Sequence, residues 1–293
     1  GKVQALNGVT FTVERGDIFG YLGANGAGKT TTIRILLDLI RADSGTVRVL
    51  GEPTERIETR YRVGFVLDAD GLYDQLTAVE NLEFYAKLYG CFPCDDRTAE
   101  LLESVDLTAR AHDRAGTYSK GMRRRLALAR ALVHDPELLI LDEPMSGIDP
   151  TGQMEIRAII QDLVHNRGKT ILLSSHDLDE IERLANRIAL IDKGEIRVVG
   201  ELKQLLGGSG ESRITITTSA PVAAAILAEV RRGFGANVTG DGTTTLDVRL
   251  PAGVKNADVV SLLASHGVGV EGVAQKHMSL EELYADIVRE REA

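Results

Sequence analysis

Tryptophan is absent from the 293-residue sequence, and all aromatic residues together make up only 4% of it. Stacking platforms for single-stranded nucleic acid are therefore scarce. A basic excess is missing too: 34 Lys and Arg face 43 Asp and Glu, a formal net charge of −9. That balance argues against a sequence-independent nucleic-acid binder, which relies on a basic surface, and no nucleic-acid partner is expected. The one basic cluster, Arg123-Arg124-Arg125, reads as a solvated helix face with acidic neighbours. No apolar run approaches the roughly 18–20 residues that span a bilayer. The most apolar stretches, 138–141 and 171–173, are strand-sized, and no signal peptide is visible. Any membrane role is thus expected to need a separate partner chain. The two cysteines, Cys91 and Cys94, fall in the segment CFPC. No second Cys or His pair completes a four-ligand zinc site, so the pair reads as structural or incidental.

What is present is an ordinary globular composition, 43% hydrophobic and 26% charged. Residues 9–13 (VTFTV) alternate like a half-buried strand, and 17–23 (DIFGYLG) reads as a strand ending in glycine. A helix is predicted over 30–40, then strands over 46–50 and 62–67. From about 72 to 134 the pattern is helical throughout, a helical insert in an α/β core. Strands return at 138–141 and 170–175, separated by a helix over 151–166. A short helix follows, then strands in RIALID and EIRVVG. GGSG at 207–210 has linker composition. Beyond it, 211–293 reads as strand, helix, strand, helix, strand and a terminal helix, a small α+β, ferredoxin-like unit.

The strongest signal is GANGAGKTT, Gly23 to Thr31, which fits G-x-x-x-x-G-K-[ST] between a strand and an amphipathic helix. Glycines let backbone N–H groups close around phosphate oxygens, and the helix start adds a positive dipole end. Candidate nucleotide-binding residues are Gly23, Asn25, Gly26, Ala27, Gly28, Lys29, Thr30 and Thr31. Lys29 would reach the β- and γ-phosphates, and the Thr30 hydroxyl would ligate Mg2+. LLILDEP (138–144) sets two carboxylates at the end of a buried strand. Asp142 is the candidate magnesium residue, and Glu143 the candidate base for an attacking water. TILLSSHD (170–177) places His176 where the carboxyl ends of parallel strands gather their ligands.

With these segments the chain resembles the ATP-binding cassette (ABC) family over residues 1–206. The family's signature, usually LSGGQ at a helix start, corresponds to YSKGM here. Ser119 and Gly121 match; Tyr118, Lys120 and Met122 depart. The resemblance implies that the signature of one subunit, through Ser119 and Gly121, closes over ATP held at the P-loop of another. It makes SGID (146–149) the D-loop, with Ser146 and Asp149 matching, and His176 the switch histidine. At the Q-loop the family's Gln corresponds to Asp68, a shorter, charged residue that could meet magnesium through water, with Asp70 a weaker candidate. The family's adenine-stacking aromatic has no counterpart in the sequence.

The resemblance implies an α/β fold: a P-loop NTPase (ABC ATPase) core over 1–206 with a helical insert, followed by the 211–293 accessory domain. It implies an ATP- and Mg2+-dependent ATPase with two partners, a second ABC ATPase subunit and a polytopic membrane permease. The chain would lie at the cytoplasmic face of the membrane, with residues 68–90 as the permease-docking surface. YSKGM, SGIDP and the C-terminal extension resemble ABC-2-type exporter subunits, which export drugs, antibiotics, lipids or polysaccharides. Two alternatives stand beside this. One is an importer ATPase with a regulatory C-terminal domain. The other is a soluble ABC ATPase acting on DNA or ribosomes.

Overall fold

The structure is a computed structural model that describes residues 4–91, 95–207, 212–240, 242–251, 253–276 and 279–289. The chain divides into two compact units, one up to Gly200 and one from Glu201 onward. Cys94 and most of the glycine linker lie outside the described residues.

The first unit runs β1 (Ile18–Leu22), α1 (Lys29–Leu36), β2 (Arg48–Val49), β3 (Glu52–Pro53), α2 (Ile57–Arg60), β4 (Val63–Val66), α3 (Ala78–Leu88), α4 (Asp95–Ser104) and α5 (Lys120–Ala131). It continues with β5 (Leu138–Asp142), α6 (Pro150–His165), β6 (Thr170–Ser175), α7 (Leu178–Glu182), β7 (Arg187–Asp192) and β8 (Glu195–Glu201). Its main sheet has the strand order β4-β5-β6-β1-β7-β8. From β4 to β7 every pairing is parallel. β1 and β6 are buried along their whole length, as unbroken apolar runs predict for parallel strands covered on both faces. Lys193 and Gly194, both at positive φ, make the two-residue turn from β7 to β8, the backbone that right-twisted hairpins favour.

The parallel register has one consequence for function. β4, β5, β6 and β1 are neighbours, so their carboxyl ends open on the same edge of the sheet, where ligands of such sheets bind. The chain between β4 and β5 is helical. α3 begins with a reciprocal cap: Thr77 Oγ1 accepts from Glu80 N (3.2 Å) and Glu80 Oε2 from Thr77 N (2.7 Å). Asn81, fully buried, accepts from Tyr73 N and donates to the Tyr73, Leu76 and Thr77 carbonyls. The turn entering the insert is thereby fixed without an unsatisfied polar group.

Three expectations need correction. Residues 9–13 alternate between half-buried and exposed, and Phe11 stacks on Phe19 and Tyr21. They form no strand, because no ladder partner lies beside them among the described residues. α1 stops at Leu36 rather than Ile40, since Asp38 turns to φ 53. The 46–50 strand shrinks to Arg48–Val49, paired with β3 across a short turn.

The second unit holds α8 (Leu202–Leu206), β9 (Ser212–Thr218), α9 (Ala224–Phe234), β10 (Asn237–Thr239), β11 (Thr245–Leu250), α10 (Asn256–Ser265), β12 (Val270–Lys276) and α11 (Leu280–Arg289). Its antiparallel sheet has the order β10-β11-β9-β12. β11 alternates exposed and buried along its length, and its inward residues join Ile216, Val238, Leu227 and Leu263 in one core. The sequence pattern does not reveal α8, nor β10. β10 is three residues long with one buried side chain, too short for a period-2 signal.

In the first unit α5 approaches β4 at Gly64, where a Cβ would overlap the Ala131 carbonyl and come within 2.9 Å of Leu139 Cδ2 and Pro136 Cγ. Backbone and ring atoms cannot yield as a flexible side chain does. Gly64→Ala should therefore cost about 1–3 kcal/mol, read as a lowered urea midpoint with unchanged m-value.

Candidate nucleotide site

β1 ends into Gly23, where any Cβ would overlap the Ile191 carbonyl and lie 3.1 Å from Ala27 Cβ. The chain then turns through exposed Ala24, Asn25 and Gly26, closed by Ala27 N donating to Ala24 O (3.1 Å). Gly28 sits at φ 113, a backbone open in practice to glycine, with Leu6 Cδ2 2.6 Å from where a Cβ would be. α1 leaves from Gly28 with no side-chain cap and no acidic residue in its first turn. Its first N–H groups, those of Lys29, Thr30 and Thr31 among them, are the orphan donors of a helix start, aimed outward with the positive dipole end. This chemistry fits a phosphate chain. Behind the loop, Tyr21 OH donates to Thr32 Oγ1 (3.0 Å), whose own hydrogen goes to Gly28 O (3.1 Å), and burial pushes that phenol up to about 12.

Asp142, the last residue of β5, is 3% exposed. One carboxylate oxygen accepts from Thr30 Oγ1 (3.1 Å) and the other from Ser174 Oγ (2.5 Å). Thr30 and Asp142, drawn from different elements, thus place hydroxyl and carboxylate oxygens side by side, the donor set of a hard divalent cation. Glu143 follows at φ 48. Its N–H is held by the Ser174 carbonyl (3.2 Å) and hydroxyl (3.0 Å). Its carboxylate meets Lys29 Nζ at 3.2 Å on one oxygen and His176 Nδ1 at 2.7 Å on the other. Lys29 Nζ also donates to Gly23 O (2.6 Å). Lys29, Glu143 and His176 therefore form one continuous line across the ends of β1, β5 and β6.

The remaining candidates stand apart from that line. Ser119 caps α5, its hydroxyl accepting from Met122 N (3.2 Å). Gly121 would tolerate a Cβ at ordinary contact with Ile148. Among the described residues, neither makes a hydrogen bond to the Gly23–Thr31 loop of its own chain. Asp149 caps α6 through Gly152 N (3.3 Å). Asp68 is exposed just beyond β4, and no hydrogen bond joins it to Thr30 or Asp142 among the described residues. Asp70 is committed elsewhere, to Arg123 at 2.7 and 3.1 Å and to Leu72 N at 3.1 Å. Burial pushes its carboxyl up, but those bonds outweigh it and hold the group below the usual carboxylate range.

The arginine run is not a solvated face. Arg124 and Arg125 are buried. Arg123 pairs with Asp70 and Asp74, and Arg125 with Asp106 and Glu155. Among the described residues Arg124 has no carboxylate at hydrogen-bond distance; it donates to the Leu67 (3.0 Å) and Glu143 (3.3 Å) carbonyls. Sequence reasoning missed both this residue and Ser174. The signal for Ser174 was a hydroxyl ending an otherwise apolar buried strand. The triplet itself carried none that separates inward from outward residues.

The ABC transporter family profile matches residues 6–146. The linearmycin resistance ATP-binding protein LnrL of Bacillus subtilis is 36% identical over 98% of this chain and 94% of that protein. That match takes in the second unit as well. The bacitracin transport ATP-binding protein BcrA of Bacillus licheniformis is 43% identical over 67% of this chain and 64% of its own length. Among solved structures, the dimeric post-hydrolysis state of the ATP-binding cassette MJ0796, bound to ADP and Pi, superposes with a TM-score of 0.62 at 26% identity. It covers 68% of this chain and 91% of that one. The chain belongs to the ATP-binding subunits of the ABC transporter family.

Beside His176, Glu180 is buried and accepts from Ser175 Oγ (2.9 Å). Burial raises its pKa, the Ser175 bond opposing. A carboxyl with its folded pKa above its unfolded one makes the folded state hold the proton more tightly. Stability then declines as pH rises from the ordinary glutamate range through the raised value. Glu180→Gln removes that penalty. Urea midpoints should show the variant gaining on wild type at pH 7 and losing the advantage near about pH 4.

Proposed function

We propose that this chain is the ATP-hydrolysing motor of an exporter, working as one of two cassettes beneath a separate membrane-spanning subunit. The observation that carries the reading is the meeting of Lys29, Thr30, Asp142, Glu143 and His176 at one edge of the sheet. The Gly23–Thr31 loop would bind the phosphates through its N–H groups, with the Lys29 ammonium against the β- and γ-phosphoryl oxygens. Thr30 and Asp142 would hold Mg2+, which supplies Lewis-acid stabilisation of phosphoryl charge when bound. Glu143 would orient a water and take its proton as the water oxygen bonds to the γ-phosphorus and the bond to the bridging oxygen breaks. His176 would orient Glu143 and meet the γ-phosphoryl group. Asp68, exposed at the end of β4, would approach the cation only through water.

The signature residues Ser119 and Gly121 would serve the nucleotide of a second cassette, consistent with their separation from the loop of their own chain. The related MJ0796 cassette is described as dimeric. ATP would then complete the interface, and hydrolysis would release it. No helix among the described residues is long and apolar enough to cross a membrane. The partner would dock at the cytoplasmic face, against an apolar groove of about 340 Å³ whose lining includes Leu36, Leu39, Ile57, Tyr61, Leu88 and Tyr89. Of the 68–90 segment, this groove takes only Leu88 and Tyr89. Export of a small molecule is the reading that the antibiotic-linked names of LnrL and BcrA favour.

Glu143→Gln keeps the shape of the side chain and removes the base. Phosphate release should fall about 10²–10⁴-fold while equilibrium ATP binding stays within a few-fold. Equal loss of both would sink Glu143 as the base. Leu39→Glu with Leu88→Glu should leave ATP hydrolysis by the purified chain intact and abolish co-purification of a polytopic membrane protein; retained co-purification would remove the groove from the docking surface.

A further inference from the structure

Arg124 occupies an unusual place. It is the fifth residue of α5, the helix that Ser119 caps, yet the residue is only 6% exposed and its guanidinium turns to strand-end carbonyls of the first unit. A buried cation ordinarily sits against a carboxylate. Here two backbone carbonyls take that place: Leu67 O, just past β4, from Nη1 (3.0 Å), and Glu143 O, just past β5, from Nη2 (3.3 Å). The charges of Asp68, Asp70, Asp142 and Glu143 surround it and oppose the cost of its burial. One planar fork thus spans two adjacent strand ends, a geometry that an ammonium cannot copy.

The bond at Glu143 bears on catalysis. The backbone there is left-handed, at φ 48, a conformation that costs a non-glycine residue energy and persists only where its surroundings fix it. Ser174 fixes the N–H side. On the carbonyl side, Ser146 N (3.2 Å) and Arg124 do so. The carboxylate that reaches Lys29 and His176 hangs from this peptide, so a shift of the carbonyl swings the carboxylate. Arg124 also fastens the same peptide to Leu67, the neighbour of Asp68, and to α5.

We propose that Arg124 is a positioning residue for ATP hydrolysis, holding the Glu143 peptide in its catalytic orientation and tying it to the Leu67–Asp68 segment and the signature helix. The proposal rests on the reading of Glu143 as the base. It places Arg124 outside the nucleotide's own contacts, so its loss should separate turnover from binding.

The test uses the full chain and three variants, Arg124→Lys, Arg124→Gln and Arg124→Ala. Steady-state MgATP hydrolysis, equilibrium ATP binding and the folded fraction by circular dichroism are compared at a temperature where each variant is folded. The expected result is a 10–100-fold fall in kcat for Arg124→Gln and Arg124→Ala, with KM and ATP affinity within about threefold of wild type. Arg124→Lys, which can reach one carbonyl but not both, should fall between. Millimolar guanidinium should restore part of the Arg124→Ala turnover and leave wild type unchanged. Unaltered kcat, a loss explained by the folded fraction, a parallel loss of ATP binding, or failure of guanidinium to rescue would each overturn the proposal. If wild type itself releases no phosphate from MgATP, the ATPase reading fails instead, which keeps the two failures distinct.

Discussion

The first unit's chemistry hangs on one buried carboxylate. Asp142 accepts from Thr30 of α1 on one oxygen and from Ser174 of β6 on the other. These bonds join three elements that lie far apart in sequence, and each depends on the parallel register of β5, β6 and β1. A slip of one residue in β5 or β6 would turn Asp142 or Ser174 to the opposite face. The apolar stretches of β1, β5 and β6 are therefore requirements of the site as well as of the core. They bury the strands on both faces and leave only their ends free to carry polar groups.

Much of this was legible in the sequence for a physical reason. The glycines at 23 and 28 are demanded by close approach and by positive φ, constraints that few other residues satisfy, so the loop shows as a fixed spacing. LLIL and TILLSS announce buried strands, and the polar residues that follow them fall at the sheet's edge. The parts that stayed hidden lack such local signatures. Residues 9–13 have the alternation of a strand, but a strand is defined by a partner that sequence does not name. β10 is too short to show a period. The Asp38 turn that ends α1 falls inside a stretch whose apolar spacing still looks helical.

The site was legible in its acceptors and donors but not in its supports. Lys29, Thr30, Asp142, Glu143 and His176 come from motifs whose spacing carries chemistry. Ser174 and Arg124 hold those residues in place from positions that only the folded sheet makes adjacent. Asp68 and Asp70 show the same limit from the other side: two carboxylates a residue apart have opposite fates, one exposed and one locked to Arg123. Net charge along the chain does not distinguish them, because the deciding partner lies more than fifty residues downstream on α5.

The arginine triplet shows how such a partner is selected. Three consecutive helical residues are about 100° apart around the axis, so Arg123, Arg124 and Arg125 must face three directions. Arg123 reaches Asp70 and Asp74 at the entry to the insert, and Arg125 reaches Asp106 and Glu155. Arg124, between them, turns toward the strand ends. There its desolvation depresses its pKa, while the carboxylates of Asp68, Asp70, Asp142 and Glu143 oppose the shift. Burial of this charge and the acidity of the site are thus two sides of one balance. An apolar side chain at 124 would relieve the desolvation but leave the acidic edge less compensated, and among the described residues the Glu143 carbonyl would keep only Ser146 N as its hydrogen-bond donor.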